Sequence, residues 1–323
     1  MAKTERTPAM SIVLVTPDSY ATIETAMNFL RAQSVREQLE IVIVAPSAEA
    51  TNADESQLKP FHSFQVVEIG EVDTMGVANA AGARVSRAPV LVFVEEHSYP
   101  HPGWAEALIG AHREPWAAVG PVVTNANGDS LVGWADFIVG YGPWLAPSRA
   151  GVRDFLPGHN SSYKRELLLQ YGPDLDSMLE SETILHADLR REGHELYLEP
   201  AARISHLNFE KPSVWIRAQY YSGRAFAAPR SGHWSLMRRL LYILGGPLIP
   251  FVRLKRAFDE VRASKGPGVP SRWVWPVLLV GLGVSAAGEM IGYALGAGDA
   301  IEQRCNLEFH RVWHLNEGNS PPD

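Results

Sequence analysis

One cysteine, Cys305, stands in 323 residues. A single thiol makes neither an internal disulfide nor a cysteine-rich zinc site. The phosphate-binding loop G-x-x-x-x-G-K-[ST] is missing. No G-x-G-x-x-G follows the first apolar strand, and no G-x-S-x-G elbow occurs. These absences exclude the common nucleotide hydrolase, dehydrogenase and serine hydrolase designs. Positive charge is also short: 29 Lys and Arg face 36 Asp and Glu, for a net charge of −7. Nucleic acid is therefore not an expected partner, because its binding rests on phosphate neutralisation. The chain lacks internal repeats and low-complexity tracts. With 46% hydrophobic and 20% charged residues it has ordinary globular usage, enough for one large domain or two small ones. The opening MAKTERTPAM is polar and the SIVLVTP run after it is too short for a signal peptide.

What is present alternates between two periods. Residues 11–16 (SIVLVT), 40–45 (EIVIVA), 64–69 and 89–94 (PVLVFV) read as strands, the first, second and fourth apolar enough to be buried on both faces. Between them, 22–32 carries Ile23, Ala26, Met27 and Leu30 at helical spacing, and 77–86 is a small, alanine-rich helix. Such alternation predicts a mostly parallel sheet covered by helices. Ligands of open α/β sheets sit at the carboxyl ends of strands. Pro17-Asp18 follows the first strand there, and Glu95-Glu96-His97 follows the fourth. Carboxylate and imidazole together suit a divalent cation.

The carboxy-terminal third differs. Residues 236–272 hold eight basic and two acidic residues, a net +6, so the rest of the chain is −13. An apolar stretch at 240–254 is broken by Gly245, Gly246, Pro247 and Pro250, and reads as an interfacial helix. Residues 273–298 are apolar, glycine-rich and carry one charge, Glu289. That length suffices to cross a bilayer or to enter it as a re-entrant helix. Basic residues ahead of the run place that side in the cytosol. The expected organisation is a catalytic domain over 1–230, a basic amphipathic segment over 231–272, the membrane helix over 273–298 and a polar tail over 299–323. A fragment ending near Arg230 should then keep the α/β fold.

Five pieces in this order, SIVLVTPDSYATIETAMNFLRAQ, EIVIVAPS, GVANAAGARVSRAPVLVFVEEHSYPHPGWAEAL, GHNSSYKRELL and ESETILHADLRREGHELYLEPAARISH, resemble a family 2 glycosyltransferase of the GT-A fold. The resemblance covers about residues 10–230. The GEMIGY run resembles the membrane tail of some bacterial members. The resemblance implies a GT-A-like (Rossmann-like) mostly parallel sheet flanked by helices, with membrane-associated helices after it.

It also implies site residues. Glu95, Glu96 and His97 stand where the family has its D-x-D motif, with Glu95 near the donor ribose and Glu96 or His97 on a metal ion. Mn²⁺ suits such mixed nitrogen and oxygen ligands better than Mg²⁺. His206 matches a diphosphate- or metal-binding histidine. Glu182, opening a helix about a dozen residues before Gly193, matches the general base, with Glu180 in reserve. An acid at Glu182 equally suits the helix dipole. Pro17, Asp18, Gly158, Asn160 and Arg224 are expected around the donor. The second strand ends in Ala45-Pro46, where the family's base-reading aspartate is usual, and the Q-x-x-R-W of processive relatives is absent from Gln219–Arg224. The implied activity is an inverting, single-sugar transfer from a nucleotide diphosphate sugar to a lipid-linked or cell-envelope acceptor, at the cytoplasmic membrane. Two other readings share these pieces: a catalytically impaired, membrane-anchored nucleotide-sugar-binding subunit, and a nucleotidyltransferase, which would normally carry a glycine-rich loop after its first strand.

Overall fold

The computed structural model describes residues 7–264, 269, 271–317 and 321. Lys265 of the basic segment and most of the tail beyond 317 lie outside the described residues. Strands and helices alternate from the start: β1 (Met10–Val15), α1 (Tyr20–Arg31), β2 (Leu39–Ala45), α2 (Ala48–Thr51), α3 (Glu55–Leu58), β3 (Ser63–Glu68), α4 (Met75–Val85), β4 (Val90–Val94), β5 (Ser98–Pro100), α5 (Trp104–Ala111) and β6 (Ala118–Asn125). Then come α6 (Leu131–Tyr141), β7 (Gly151–Arg153), β8 (Ser162–Lys164), α7 (Arg165–Leu169), α8 (Leu175–Glu180), α9 (Glu182–Arg191) and β9 (Leu196–His206). Among the described residues five α-helices follow: α10 (Pro212–Ser231), α11 (Leu236–Gly245), α12 (Ile249–Ala263), α13 (Val274–Leu295) and α14 (Ala300–Glu308).

Among the described residues nine strands form one sheet of order β3-β2-β1-β4-β8-β6-β9-β5, with β7 on β9. β3, β2, β1 and β4 pair in parallel. β8 runs antiparallel to β4 and β6, and β7 to β9, so the sheet is mixed. The parallel half is the one the apolar runs predict. β7 and β8 have three residues each, too few to leave a periodic signal. Every residue of β1, β2 and β4 is buried, as strands covered on both faces must be. Ile23, Ala26, Met27 and Leu30 of α1 pack into the same core.

The chain divides into two compact units. The first comprises 7–124 and 146–205 and holds almost all of the sheet. The second comprises 125–145 and 206–321, hence α6 and α10–α14. The division cuts β6 and β9 one residue from their ends rather than falling at 230/231. α10 therefore belongs with the later helices. Its packing shows why: a Cβ on Gly223 would overlap Ser285 O of α13, and one on Gly288 would overlap Tyr220 O of α10. Only glycine permits backbones this close. Among the described residues one helix, α13, is long and apolar enough to cross a membrane. Ten of its 22 residues are buried within the protein.

Candidate active site

Glu95 follows β4 directly. Its Oε2 accepts from Asn160 Nδ2 at 2.9 Å and Ser98 Oγ at 3.2 Å. His97 Nε2 lies 3.8 Å from the same carboxylate oxygen. His97 Nδ1 is 2.8 Å from Glu96 Oε1, and both residues are buried. Glu96 thus stands behind His97 and orients its ring, the arrangement that commonly supports a metal-binding histidine. Within the first unit Glu95 and His97 each offer a ligand atom, and these lie within 4.8 Å of each other. His206 is the last residue of β9. Its Nδ1 is 2.9 Å from Asn208 Oδ1, which selects the tautomer presenting the Nε2 lone pair. An imidazole and a carboxylate together suit a divalent cation that accepts mixed ligands. Glu95, which the resemblance places near the ribose, lies beside His97, and Glu96, which it places with His97 at the metal, bonds His97 Nδ1.

The loop before β8 joins this cluster to the candidate base. A Cβ on Gly158 would lie 2.7 Å from Glu182 Cδ, so glycine there makes room for the carboxylate. His159 Nδ1 is 3.1 Å from Glu182 Oε1. Asn160 is fully buried, with φ +75°, its N–H donating to Phe93 O of β4 at 2.9 Å and its side chain to Glu95. Ser161 Oγ donates to Pro157 O and closes the loop on itself. Ser181 makes no side-chain cap on α9. Glu182 therefore faces the loop rather than completing a cap with Ser181. Its charge contributes, after burial, to raising the Tyr163 hydroxyl, which pairs with His186 Nε2 at 2.9 Å.

The remaining expected residues are placed differently. Glu180 Oε2 accepts from Gly76 N at 2.9 Å and so stabilises the start of α4. Asp18 Oδ1 accepts from Thr22 Oγ1 at 2.6 Å and from Ser19 N, holding the turn between β1 and α1 just after Pro17. Arg224 Nε donates to Gly296 O at 2.9 Å at the end of α13, inside the second unit. Sequence reasoning missed His159 as the partner of Glu182 and Asn208 as the partner of His206. The GHNSS string had singled out the first loop, whereas nothing marked Asn208. Within the second unit a pocket of about 330 Å³ is lined by His206, Asn208, Asp136, Arg253, Glu289 and Arg311, among others. Arg253 pairs with Glu289 at 2.6 Å and Arg311 with Asp136 at 2.8 Å.

The profile of the family described as "Glycosyl transferase family 2" matches residues 11–172. No curated protein matches the sequence. Similar solved structures include GalNAc-T7 with UDP, GalNAc and Mn²⁺, at 13% identity and a TM-score of 0.47, covering 63% of this chain and 44% of that one. The chain thus spans under half the length of GalNAc-T7. The mannosyltransferase PcManGT from Pyrobaculum calidifontis, in complex with GDP-Man and Mn²⁺, aligns at 16% identity and a TM-score of 0.44, covering 93% and 79%. Residues 1–349 of S. aureus TarS in complex with UDP-GlcNAc align at 14% identity and a TM-score of 0.45, covering 89% and 92%.

Proposed function

Because this chain belongs to glycosyl transferase family 2, we propose that it is an inverting enzyme moving one sugar from a nucleotide diphosphate donor to a lipid-linked or cell-envelope acceptor. One observation carries the site assignment. Consecutive residues of one loop touch Glu182 (Gly158, His159) and Glu95 (Asn160), tying the base to the acidic motif. Glu182 accepts the acceptor's hydroxyl proton. The acceptor oxygen then bonds to the anomeric carbon as the bond to the diphosphate oxygen breaks, which inverts that carbon. His159 holds the Glu182 carboxylate in place. Glu95 and His97 would hold a divalent cation, Mn²⁺ before Mg²⁺, with Glu96 behind His97; His206 is the further ligand that the family resemblance implies. When bound, that cation supplies positive charge for the donor diphosphate. Pro17, Asp18, Gly158 and Asn160 line the donor side. Residues 231–298 keep the chain at the cytoplasmic face of a membrane.

The test is turnover of a panel of UDP- and GDP-sugars. Excess chelator should abolish turnover and Mn²⁺ restore it. Glu182→Gln should lose roughly a hundredfold or more, the scale of general-base removal, with donor binding kept. Saturable donor binding without turnover by the wild type would instead support the catalytically impaired binding subunit. Full activity in chelator would refute the metal assignment.

A further inference from the structure

α11 and α12 leave an apolar face bare. None of the ten residues of α11 is buried, although six are Leu, Met or Ile. Met237 is 77% exposed, Leu241 68% and Leu244 78%. Leu248, in the turn between the helices, and Phe251 and Val252, opening α12, are each at least 60% exposed. Met237, Leu241 and Leu244 follow one another by three or four positions and so form one stripe along α11, and the exposed Leu248, Phe251 and Val252 come directly after it in the turn and the first residues of α12. Soluble monomers rarely expose a continuous apolar stripe of this length. Exposed cations lie on the same two helices: Arg238, Lys255, Arg256 and Arg262. Arg238 stacks on Trp234 at 4.2 Å, and Arg230 reaches Trp234 and Tyr242 at 5.5 and 5.6 Å.

We propose that the α11–α12 face is a monotopic membrane-docking surface that lies in the headgroup region of an anionic bilayer while α13 stays inside the protein. Apolar stripe, flanking cations and amphipathic aromatics are the three features such a surface needs. The charge is local, since 236–272 is +6 in a chain otherwise −13. That asymmetry selects the occupant. A second copy docked by this face about a twofold axis would bring two helix pairs of net +4 together (six basic residues against Asp259 and Glu260 over 236–263), whereas anionic lipid complements them. α13 has a different partner already: its glycines 281, 288 and 292 are packed against Trp215, Tyr220 and Arg224 of α10. A lipid cannot take that place without separating the two helices. The inference rests on the membrane part of the proposed function and not on its chemistry.

The full chain should co-sediment with phosphatidylcholine vesicles containing phosphatidylglycerol at least about tenfold more tightly than with phosphatidylcholine alone, and more weakly in high salt. Leu241→Glu with Leu244→Glu should abolish the binding and leave thermal unfolding unchanged. Arg238→Gln with Arg256→Gln should reduce it toward the phosphatidylcholine level. Wild-type binding by the Leu241/Leu244 variant would overturn the proposal. So would protein from native membranes that only detergent extracts, which puts α13 in the bilayer. A dimer that binds no vesicle and that the same variant dissociates would assign the face to a second copy and overturn it too. Donor turnover is read separately without vesicles, so loss of either result leaves the other interpretable.

Discussion

Asn160 sits in the left-handed region at φ +75° with no exposure, a conformation costing about 1–3 kcal/mol outside glycine. Its bonds to Phe93 O and Glu95 offset that cost. Two histidines behind the site behave as neutral core residues. Burial pushes His186, on the Tyr163 hydroxyl, down to about 4. Burial, with Lys164 adding to it, does the same to His112, beside Ser162 Oγ, also to about 4. In the unfolded chain both titrate near about 6.5. As pH falls from there, the unfolded state takes up protons that the folded state refuses. The stability present above pH ~6.5 is therefore lost progressively and levels off near pH 4, on the order of 3 kcal/mol for each histidine. Urea midpoints measured across this range should fall, and His112→Asn should show a shallower fall. An unchanged slope in that variant would show that His112 contributes nothing to it.

The decisive contact at the element scale is α10 on α13. Gly223, Gly288 and Gly292 each bring a bare Cα against the facing backbone. Close approach gains dispersion along the whole helix pair, and any added carbon forces the helices apart. Gly288→Val should cost at least about 1–3 kcal/mol and lower Tm by several degrees. Gly283, on the same helix, has nothing within 4 Å of an added Cβ. Gly283→Ala should therefore be neutral or raise Tm slightly, because alanine is the better helix former. Circular dichroism melts of the two variants separate helix packing from glycine content. A fall in Gly283→Ala as large as that in Gly288→Val would count against the packing account.

For the whole molecule, the boundary between units decides how the chain can be cut. A fragment ending at Arg230 retains α10 but loses α13, its main packing partner. Trp215, Ala218, Gly223, Ala225 and Ala227 of α10, all buried in the full chain, would lose the α13 side of their packing. Such a fragment should aggregate on size exclusion even though it keeps β1–β9, contrary to what the sequence boundary at 230 implies. A soluble, monodisperse fragment would show that α10 closes on the first unit without α13.

The apolar runs at 11–16, 40–45 and 89–94 by themselves determined the parallel half of the sheet, because strands buried on both faces need unbroken hydrophobicity. The GHNSS and EEH strings likewise marked where polar groups meet a strand end. Tertiary structure alone decided the rest. Spacing cannot say that Glu96 bonds His97 Nδ1 while Glu95 accepts from Asn160, since adjacent carboxylates differ only in the direction their side chains take. Nor can it say that Glu180 serves Gly76 N while Glu182 faces Gly158, because both tests depend on partners about 100 and 24 residues away in sequence. The fate of the 273–298 run was the least legible. A glycine-rich apolar helix has the same composition whether lipid or another helix covers it; only the tertiary structure shows that α10 covers the face of Gly281, Gly288 and Gly292 while Val280 and Leu295 stay exposed.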